Sequence, residues 1–366
     1  MASFVSSASA TALRCLSVAT LLLLSTASAT AQLPATRLDA VFPAGSQPGK
    51  SLDVTILGVD LDDVDQLIFS HPGINATRKM AEPTPFDEGP QPVPNTFVVT
   101  VNGDVPPADY DVRCKGRFGI SNRRIFSINP LPAVLETEPN GGHEVPPWKD
   151  VEGVRTNEAN EISVPGIADG QLVQGPDVDW YRFQGKAGQQ LQVATVCRRL
   201  DSRMDPVITV LQENGNVLAE SQPADNGEVV ADVRLPGDGT FYIKVHDAVF
   251  AQGPGYVYRL LVTAAPLIDF VFPPAGLPGT NTNFTLYGRN LPGGQGSPYT
   301  INGTQLQQLQ VSIGIPGDVA NRMPISRLIE PHQAGLDCIE YIIPGSPPGT
   351  QGILITAGTA PPVLES

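Results

Sequence analysis

Hydrophobic and polar residues alternate along this chain in short runs, which clusters of Gly and Pro separate from one another. Residues 53–58 alternate with a period of two, which is typical of a half-buried β-strand. Similar runs predict strands at 96–101, 110–115 and 124–128. Short strands divided by turns are typical of antiparallel sandwiches, so we predict an all-β fold. The five prolines within residues 81–95 predict a surface loop there.

The first predicted strands recur 230 positions later in the chain. Nine of the 23 positions in residues 39–61 are identical to those in residues 269–291, without a gap. Such self-similarity indicates a repeated structural unit. We therefore divide the chain into unit A (35–133), unit B (134–264) and unit A′ (266–366). We predict that these are three tandem β-sandwich domains.

Composition narrows the possible partners of the chain. The 366 residues include 36 Gly and 36 Pro, which argues against long helices because both residues are unfavourable in helix interiors. The chain holds 23 basic and 37 acidic residues, a net charge of −14. This negative charge argues against nucleic acid and anionic membrane surfaces as partners.

The N-terminal segment has the features of a signal peptide. Arg14 is the only charge before an apolar run at residues 15–24, and small residues follow at 25–31. We predict a signal peptide at residues 1–31, cleaved after Ala31. The apolar run is too short to span a bilayer, so we predict no transmembrane segment. The protein is then expected to be secreted, or located in the periplasm or cell envelope.

Three cysteines follow the signal peptide: Cys114, Cys197 and Cys338. A disulfide framework in an exported protein would need more of them. Cys114 and Cys197 lie at apolar positions of alternating runs, which predicts that each is a small buried hydrophobic residue. A Cys114–Cys197 bridge stays open as the alternative.

Units A and A′ resemble the immunoglobulin-like IPT/TIG domains of extracellular proteins. The resemblance is carried by VFPAGSQPGKSLDVTILGVDL at residues 41–61 and VPPADYDVRCKGRFGISN at residues 105–122. It implies an immunoglobulin-like sandwich for both units. The second copy stops soon after residues 353–356, and we leave open whether it contains a final strand.

Unit B resembles the bacterial pre-peptidase C-terminal (PPC) domain, a β-sandwich appended to secreted peptidases. The matching motifs are E-x-E-P-N at 136–140, a G-P-D-V-D-W-Y-R-F strand at 175–183, A-G-Q at 187–189, G-T-F-Y at 239–242 and a closing run at 253–260. The resemblance implies a jelly-roll-like sandwich. The order A–B–A′ is similar to that of secreted proteins of Planctomycetes-like bacteria.

The PPC resemblance implies a calcium site in unit B, because calcium-binding members of that family share the ion among acidic residues at such positions. Oxygen atoms are the ligands that Ca²⁺ takes, usually six to eight of them. The candidate ligands are Glu136, Glu138, Asn140, Asp177 and Asp179. Gly141 stands where that family often has Asp. The alternative is that these residues are solvated charges at strand ends that never meet.

No combination of residues predicts catalysis. The four histidines, His71, His143, His246 and His332, are spread over all three units. A Ser–His–Asp triad needs a base within hydrogen-bond reach of the nucleophile, and the chain contains no G-x-S-x-G or H-E-x-x-H motif. We therefore predict that the chain is not an enzyme.

The remaining interpretation is an exported binding, adhesion or spacer protein whose partner is an extracellular protein or polysaccharide. Trp148, in a Pro-rich stretch predicted to be a loop, is a candidate for stacking on a ligand ring, and local packing is the alternative. A second hypothesis is that the chain is a fragment or accessory region of a secreted subtilisin-like or metallo-peptidase.

Overall fold

The computed structural model describes residues 34–360 with internal gaps. These gaps are 84, 87–88, 142–147, 152–153, 158, 174, 222–228, 302, 322–336, 348–349, 351 and 359, and only the backbone is described for 148–151 and 154–157. The predicted signal peptide, residues 1–31, lies outside the described residues. Residues Thr36–Ser366 form one compact unit in which all described strands lie. The predicted all-β fold is confirmed.

Unit A consists of two facing sheets. Its strands are β1 Arg37–Phe42, β2 Gly45–Ser46, β3 Ser51–Val59, β4 Gln66–Phe69, β5 Ile74–Ala81, β6 Gln91–Val101, β7 Ala108–Gly116, β8 Gly119–Ile120 and β9 Arg124–Ile128. One sheet has the order β1-β3-β6-β5 and the other β2-β9-β7-β4, with β8 paired to β7. The three strands predicted after residue 95 lie within β6, β7 and β9.

Unit B holds two five-stranded sheets and a two-stranded ribbon. Its strands are β10 Ala133–Leu135, β11 Trp148–Val151, β12 Val154–Asn157, β13 Asn160–Glu161, β14 Gly166–Gln171, β15 Asp179–Gly185, β16 Gln190–Val196, β17 Pro206–Gln212, β18 Val217–Ser221, β19 Val229–Arg234, β20 Gly239–Asp247 and β21 Val257–Thr263, with a 3-10 helix at Arg198–Leu200. The sheet orders are β10-β14-β21-β16-β19 and β13-β15-β20-β17-β18, and the ribbon is β11-β12.

Unit A′ has a four-stranded sheet and a second sheet of three described strands. The strands are β22 Leu267–Phe272, β23 Ala275–Gly276, β24 Asn281–Arg289, β25 Gln295–Ile301, β26 Thr304–Gly314, β27 Cys338–Tyr341 and β28 Ile353–Ala357, with a 3-10 helix at Val319–Asn321. The orders are β22-β24-β26-β25 and β23-β28-β27. The parallel pair β23–β28 corresponds to the parallel pair β2–β9 of unit A.

Alternating side chains fill the space between the sheets with hydrophobic cores. In unit A, Val54 and Ile56 of β3 point inward and are almost fully buried, as their period-two pattern predicts. Cys114 belongs to the core of unit A and Cys197 to the core of unit B, and both are fully buried. They therefore pack as small hydrophobic residues in two separate hydrophobic cores.

The loop predicted at residues 81–95 is shorter than expected. Strand β6 begins at Gln91, so Pro92 and Pro94 belong to a strand. The pairing of β6 explains this. Strand β3 pairs with β6 only at residues 96–100, so residues 91–92 of β6 pair on one side alone, with β5. A proline is tolerated where one edge of a strand has no neighbour that needs its N–H group.

A buried arginine joins unit B to each of its neighbours. Arg259 of β21 lies 3.0 Å from the Asp169 carboxylate, and its Nη1 donates a hydrogen bond of 2.9 Å to the carbonyl of Ser127 in unit A. Arg289 of unit A′ lies 3.1 Å from Asp232 of unit B and 3.4 Å from Asp269. Both junctions thus depend on charges that are shielded from water.

Candidate functional site

The candidate site lies at the start of unit B, where the chain leaves β10 and runs along β14. The Glu136 N–H donates a hydrogen bond to the carbonyl of Asp169 at 3.1 Å, which extends the parallel pairing of β10 with β14 by one residue. The Glu136 carboxylate in turn accepts a hydrogen bond from the Gln171 N–H at 2.6 Å. These two bonds place the Glu136 side chain over the end of β14.

Asp179, the first residue of β15, reaches the same place from the opposite sheet. It is fully buried, and the hydroxyl of Tyr258 donates a hydrogen bond to its Oδ2. The Tyr258 hydroxyl lies 2.8 Å from that of Tyr181, which is also 3.4 Å from Glu136 Oε2. Two buried tyrosines therefore form a polar base beneath the carboxylates.

Three of the predicted ligands converge. One carboxylate oxygen from each of Glu136, Glu138 and Asp179 lies within 4.8 Å of the others. Asp179 Oδ1 is buried and accepts no hydrogen bond from the described part of the chain. Sequence analysis left open whether these acids meet, and the structure brings these three together.

Asn140 is fully buried beside this group. Its N–H donates a hydrogen bond of 2.8 Å to Glu138 Oε2, which folds the segment back on itself. Neither the oxygen nor the nitrogen of its side-chain amide has a hydrogen-bond partner among the described residues. A buried amide without partners is costly, so the position favours an additional ligand.

Asp177 does not join the three carboxylates. Its two oxygens accept hydrogen bonds from the N–H groups of Val173, at 2.6 Å, and Val178, at 3.1 Å, so the side chain closes its own loop. Gly141 lies next to it, and a Cβ there would come within 3.1 Å of the Val178 carbonyl. The absence of a side chain at Gly141 lets the two segments approach closely.

The electrostatics of the group are unfavourable when all the acids are ionised. Burial, followed by the charge of Asp179, raises the pKa of Glu136 well above its usual range. Burial also raises the pKa of Asp179, against the hydrogen bond from Tyr258, and the charges of Asp177 and Glu138 raise it further. Two carboxylates about 4 Å apart repel by about 4 kcal/mol at an effective dielectric of 20. The largest neighbouring charges are all acidic, so a cation would offset this repulsion.

Trp148 lies in a β-strand rather than in the predicted loop. It is the first residue of β11, which pairs in antiparallel register with β12, so the prediction of a loop was wrong at this residue. The side chains of this ribbon lie outside the described residues. The role of Trp148 in ligand contact stays a prediction.

Sequence reasoning missed the tyrosines of the site. Tyr181 and Tyr258 each stand in a motif that carries the PPC resemblance, and neither was predicted as a site residue. Their hydroxyls meet because β15 and β21 face each other across the sandwich, a contact over 77 positions that no local pattern encodes. The only signal in the sequence was the residue type itself, because a buried tyrosine hydroxyl needs a hydrogen-bond partner.

The two described histidines make local contacts. His71 Nδ1 accepts a hydrogen bond from the Gly73 N–H at 3.0 Å, and its ring packs against Tyr110. The ring of His246 stacks on Phe250, and its Nδ1 lies 2.9 Å from the carbonyl of Asp247. In the described residues, neither imidazole forms a hydrogen bond with a serine, a cysteine or a carboxylate. His143 and His332 lie outside the described residues.

Part of unit B, including Asp179 but not residues 136–140, is similar to a known kind of domain. Residues 177–247 match the family described as the bacterial pre-peptidase C-terminal domain. Over 70 residues, 19% of this chain, the sequence is 31% identical to a probable subtilase-type serine protease of Deinococcus radiodurans. The chain spans only 10% of that relative's length.

Two solved structures give weaker likenesses. The pre-peptidase C-terminal domain of a Bacillus anthracis collagenase is 20% identical with a TM-score of 0.24, over 28% of this chain and 93% of that one. A Bacteroides ovatus SGBP-B in complex with a mixed-linkage heptasaccharide is 9% identical with a TM-score of 0.19, over 60% and 74%. Within the described residues, no helix has the length and apolar character needed to cross a bilayer.

Proposed function

We propose that this chain is an exported, non-catalytic binding protein whose unit B holds a Ca²⁺ ion. The observation that carries the proposal is the convergence of Glu136, Glu138 and Asp179 within 4.8 Å. The pre-peptidase C-terminal match of residues 177–247 supports export, because that domain accompanies secreted peptidases. The binding partner is an extracellular protein or polysaccharide.

The donor set suits a hard cation. The candidate ligands are carboxylate oxygens of Glu136, Glu138 and Asp179, together with the buried amide oxygen of Asn140. No histidine or cysteine joins them among the described residues, which favours Ca²⁺ over Zn²⁺. Asp177, predicted as a ligand, contributes its negative charge rather than a coordinating oxygen.

A bound ion would stabilise the boundary between units A and B. Residues 136–140 directly follow β10, the strand that connects the two units. Calcium sites in extracellular modules are weak, with dissociation constants of about 10⁻⁴–10⁻³ M. At a tenfold excess of free ion, binding adds about 1.4 kcal/mol to the free energy of unfolding. Such an ion would stiffen the connection without being required for folding.

Calorimetry and thermal melting in Ca²⁺ or EGTA test the calcium proposal. We expect Ca²⁺ to raise the Tm of the wild type, and Mg²⁺ to raise it less. In Glu136→Gln the gain from Ca²⁺ should disappear, because one carboxylate ligand is lost. The Tm in EGTA should change little, because the raised pKa of Glu136 leaves this side chain uncharged without the ion. The control Glu161→Gln removes an exposed carboxylate of unit B, paired with Arg182 at 3.4 Å, and should respond to Ca²⁺ like the wild type. A wild type that binds no Ca²⁺ at 10 mM would overturn the proposal.

Binding is tested by retention of the protein on insoluble cell-wall glycans and on insoluble protein. Trp148→Ala should weaken retention if its ring contacts the ligand, and equal retention would remove Trp148 from the site. The non-catalytic role predicts no hydrolysis of casein by the pure chain. Hydrolysis that a single Ser, His or Asp substitution abolishes would contradict it.

The second candidate function is that of an accessory region of a secreted peptidase. The identity of 31% with the Deinococcus protease over 70 residues favours it. In that case the chain should bind insoluble protein substrates more strongly than glycans. Preferential binding of glycans would contradict this second candidate.

A further inference from the structure

The four-stranded sheet of unit A′ exposes a face without charge. Its strands, β22, β24, β26 and β25, contain only two ionisable acidic or basic residues, Asp269 and Arg289. These two lie 3.4 Å apart, and both side chains are largely buried. In a chain with a net charge of −14, an uncharged sheet face is unusual.

Three aromatic rings lie together on this face. The rings of Phe270 and Tyr287 stack with their centroids 4.6 Å apart and their planes 17° from parallel. Tyr299 packs edge-on against both, at 5.6 Å and 5.0 Å. The pairing of β25 shifts between Gly296 and Thr300, so Tyr299 lies in the irregular part of the strand. Its side chain remains 49% exposed.

Side-chain amides and a hydroxyl continue the face beyond the rings. Residues directly opposite one another in antiparallel strands share a face of the sheet. One such row crosses all four strands as Phe270, Tyr287, Gln308 and Gln295. A second row consists of Phe272, Thr285 and Gln310, and Phe272 is 50% exposed. Phe284 and Leu286 lie on the opposite face and are buried in the core.

The fold does not require these aromatic residues. In unit A, Ala40 lies opposite Leu57, at the positions that correspond to Phe270 and Tyr287. In both units the strand register shifts immediately before this pair. The corresponding sheet of unit A also carries an exposed ion pair between Lys79 and Asp53. The two units therefore share a backbone plan, whereas only unit A′ combines an aromatic platform with an uncharged surround.

We propose that this face of unit A′ binds an uncharged polysaccharide chain. The half-exposed ring of Tyr299 and the partly exposed rings of Phe270 and Tyr287 present apolar surfaces on which the C–H face of a sugar ring can stack. Gln295, Gln308 and Gln310 supply amide groups that both donate and accept hydrogen bonds, as sugar hydroxyls do. An anionic ligand would need a basic residue, and the strands offer none apart from the buried Arg289. The face therefore matches a neutral polysaccharide in charge as well as in shape.

This inference rests on the proposed binding function and names a ligand class for it. The face belongs to unit A′, whereas Trp148 and the carboxylates belong to unit B. Its failure is therefore distinguishable from failure of the calcium proposal. The test is affinity electrophoresis of the full chain in gels containing mixed-linkage β-glucan, xyloglucan or galactomannan, with polygalacturonate as the anionic comparison. We expect at least one neutral polysaccharide to retard the protein, equally in Ca²⁺ and in EGTA.

The variants follow from the comparison of the two units. Phe270→Ala with Tyr287→Leu gives unit A′ the residues of unit A, and we expect the affinity to fall at least tenfold. Tyr299→Ala changes a half-exposed ring with little risk to folding, which an unchanged Tm would check, and should weaken binding at least threefold. The control Phe86→Ala removes a ring that is 97% exposed in unit A and should bind like the wild type.

Three results would overturn the proposal. One is the absence of retardation by every neutral polysaccharide, and another is binding that folded Tyr299→Ala retains in full. The third is a dimer, seen by analytical ultracentrifugation, that dissociates in Tyr299→Ala, because the face would then be an interface between two copies of the chain.

Discussion

The hydroxyl of Tyr258 donates a hydrogen bond to the buried carboxylate of Asp179, which lies 79 positions earlier in the chain. The two residues belong to opposite sheets of unit B, so the bond crosses the interior of the sandwich. It occupies Oδ2 of Asp179 and leaves Oδ1 without a hydrogen-bond donor among the described residues. One oxygen of this carboxylate is thereby held by the fold, and the other keeps its lone pairs available for a ligand.

Tyr258→Phe should destabilise the protein, because it removes this donor from a buried carboxylate. Leaving a buried acceptor without its donor costs about 1–3 kcal/mol, and we expect a loss of that size in the free energy of unfolding. Urea denaturation in EGTA measures it. The neighbouring Tyr256→Phe, at a half-buried position, is the matched control. Equal stability of the two variants would show that the hydroxyl of Tyr258 does not support Asp179.

Gly45→Ala should disrupt the junction between units A and B. A Cβ at Gly45 would lie 2.1 Å from the carbonyl oxygen of Ser127 and 2.3 Å from Arg259 Nη1, so strand β2 or the arginine must move. Overpacking of this kind costs about 1–3 kcal/mol, and we expect a clear drop in Tm. The repeat position in unit A′ is Ala275, where the neighbourhood accommodates a Cβ.

The control for this prediction is Gly103→Ala, since a Cβ at Gly103 meets nothing within 4 Å. It should melt within a degree or two of the wild type. A Gly45→Ala protein as stable as this control would mean that the junction adapts without loss.

Arg289→Met should destabilise the protein strongly, because it leaves the buried carboxylates of Asp232 and Asp269 without a cation. Removal of one partner of a buried ion pair typically costs about 3–5 kcal/mol. The comparison variant Arg182→Met breaks an exposed pair with Glu161 and should cost about 1 kcal/mol or less. Chemical denaturation checks both values.

Neutralising the two acids should rescue that variant. The combination of Arg289→Met with Asp232→Asn and Asp269→Asn contains no unpaired charge, so most of the lost stability should return. Failure to recover any stability would indicate that the packing of the guanidinium group, rather than its charge, holds units B and A′ together.

Stability should fall as the pH rises through the range in which Asp269 ionises. The pKa of Asp269 is raised to about 6, and burial of the side chain is the largest cause. The charge of Arg289 lowers this pKa in part, and the charge of Asp232 raises it. The folded state therefore holds the proton more tightly than the unfolded state, whose pKa is about 3.9. The resulting stabilisation is present below about pH 4 and is lost as the pH rises through 6.

Asp269→Asn should remove this dependence. Between pH 4 and pH 7 the wild type is expected to lose about 3 kcal/mol more stability than the variant, because one pKa unit corresponds to about 1.4 kcal/mol. Urea denaturation at fixed Ca²⁺ over that pH range measures the difference, in which the contributions of acids far from Asp269 cancel. Parallel curves for the two proteins would contradict the prediction.

Local patterning was sufficient for the fold class. The period-two runs placed Val54 and Ile56 on a buried face, and the strands found at β7 and β9 follow the predicted runs closely. The loop prediction was wrong where it depended on Pro92 and Pro94, since one-sided pairing is a property of the sheet rather than of the sequence. Trp148 illustrates the same limit, because its neighbours Pro146 and Pro147 indicated a loop and it begins a strand.

The candidate site was predictable in composition but not in geometry. Glu136, Glu138 and Asp179 were singled out as acids, and their meeting depends on the pairing of β10 with β14 and on the position of β15 across the sandwich. Asp177 and Asp179 were both predicted as ligands. Asp177 instead caps its own loop, because it precedes the strand and finds two backbone N–H groups there.

The buried guanidinium groups of Arg259 and Arg289 have a mechanical consequence for the three units. Each is held by carboxylates on one side and reaches across a boundary, so bending at either junction would strip a charge of its partners before any sheet is disturbed. Rotation of one unit against the next would therefore expose an unpaired buried charge at each boundary, and that cost restrains the orientation of the units.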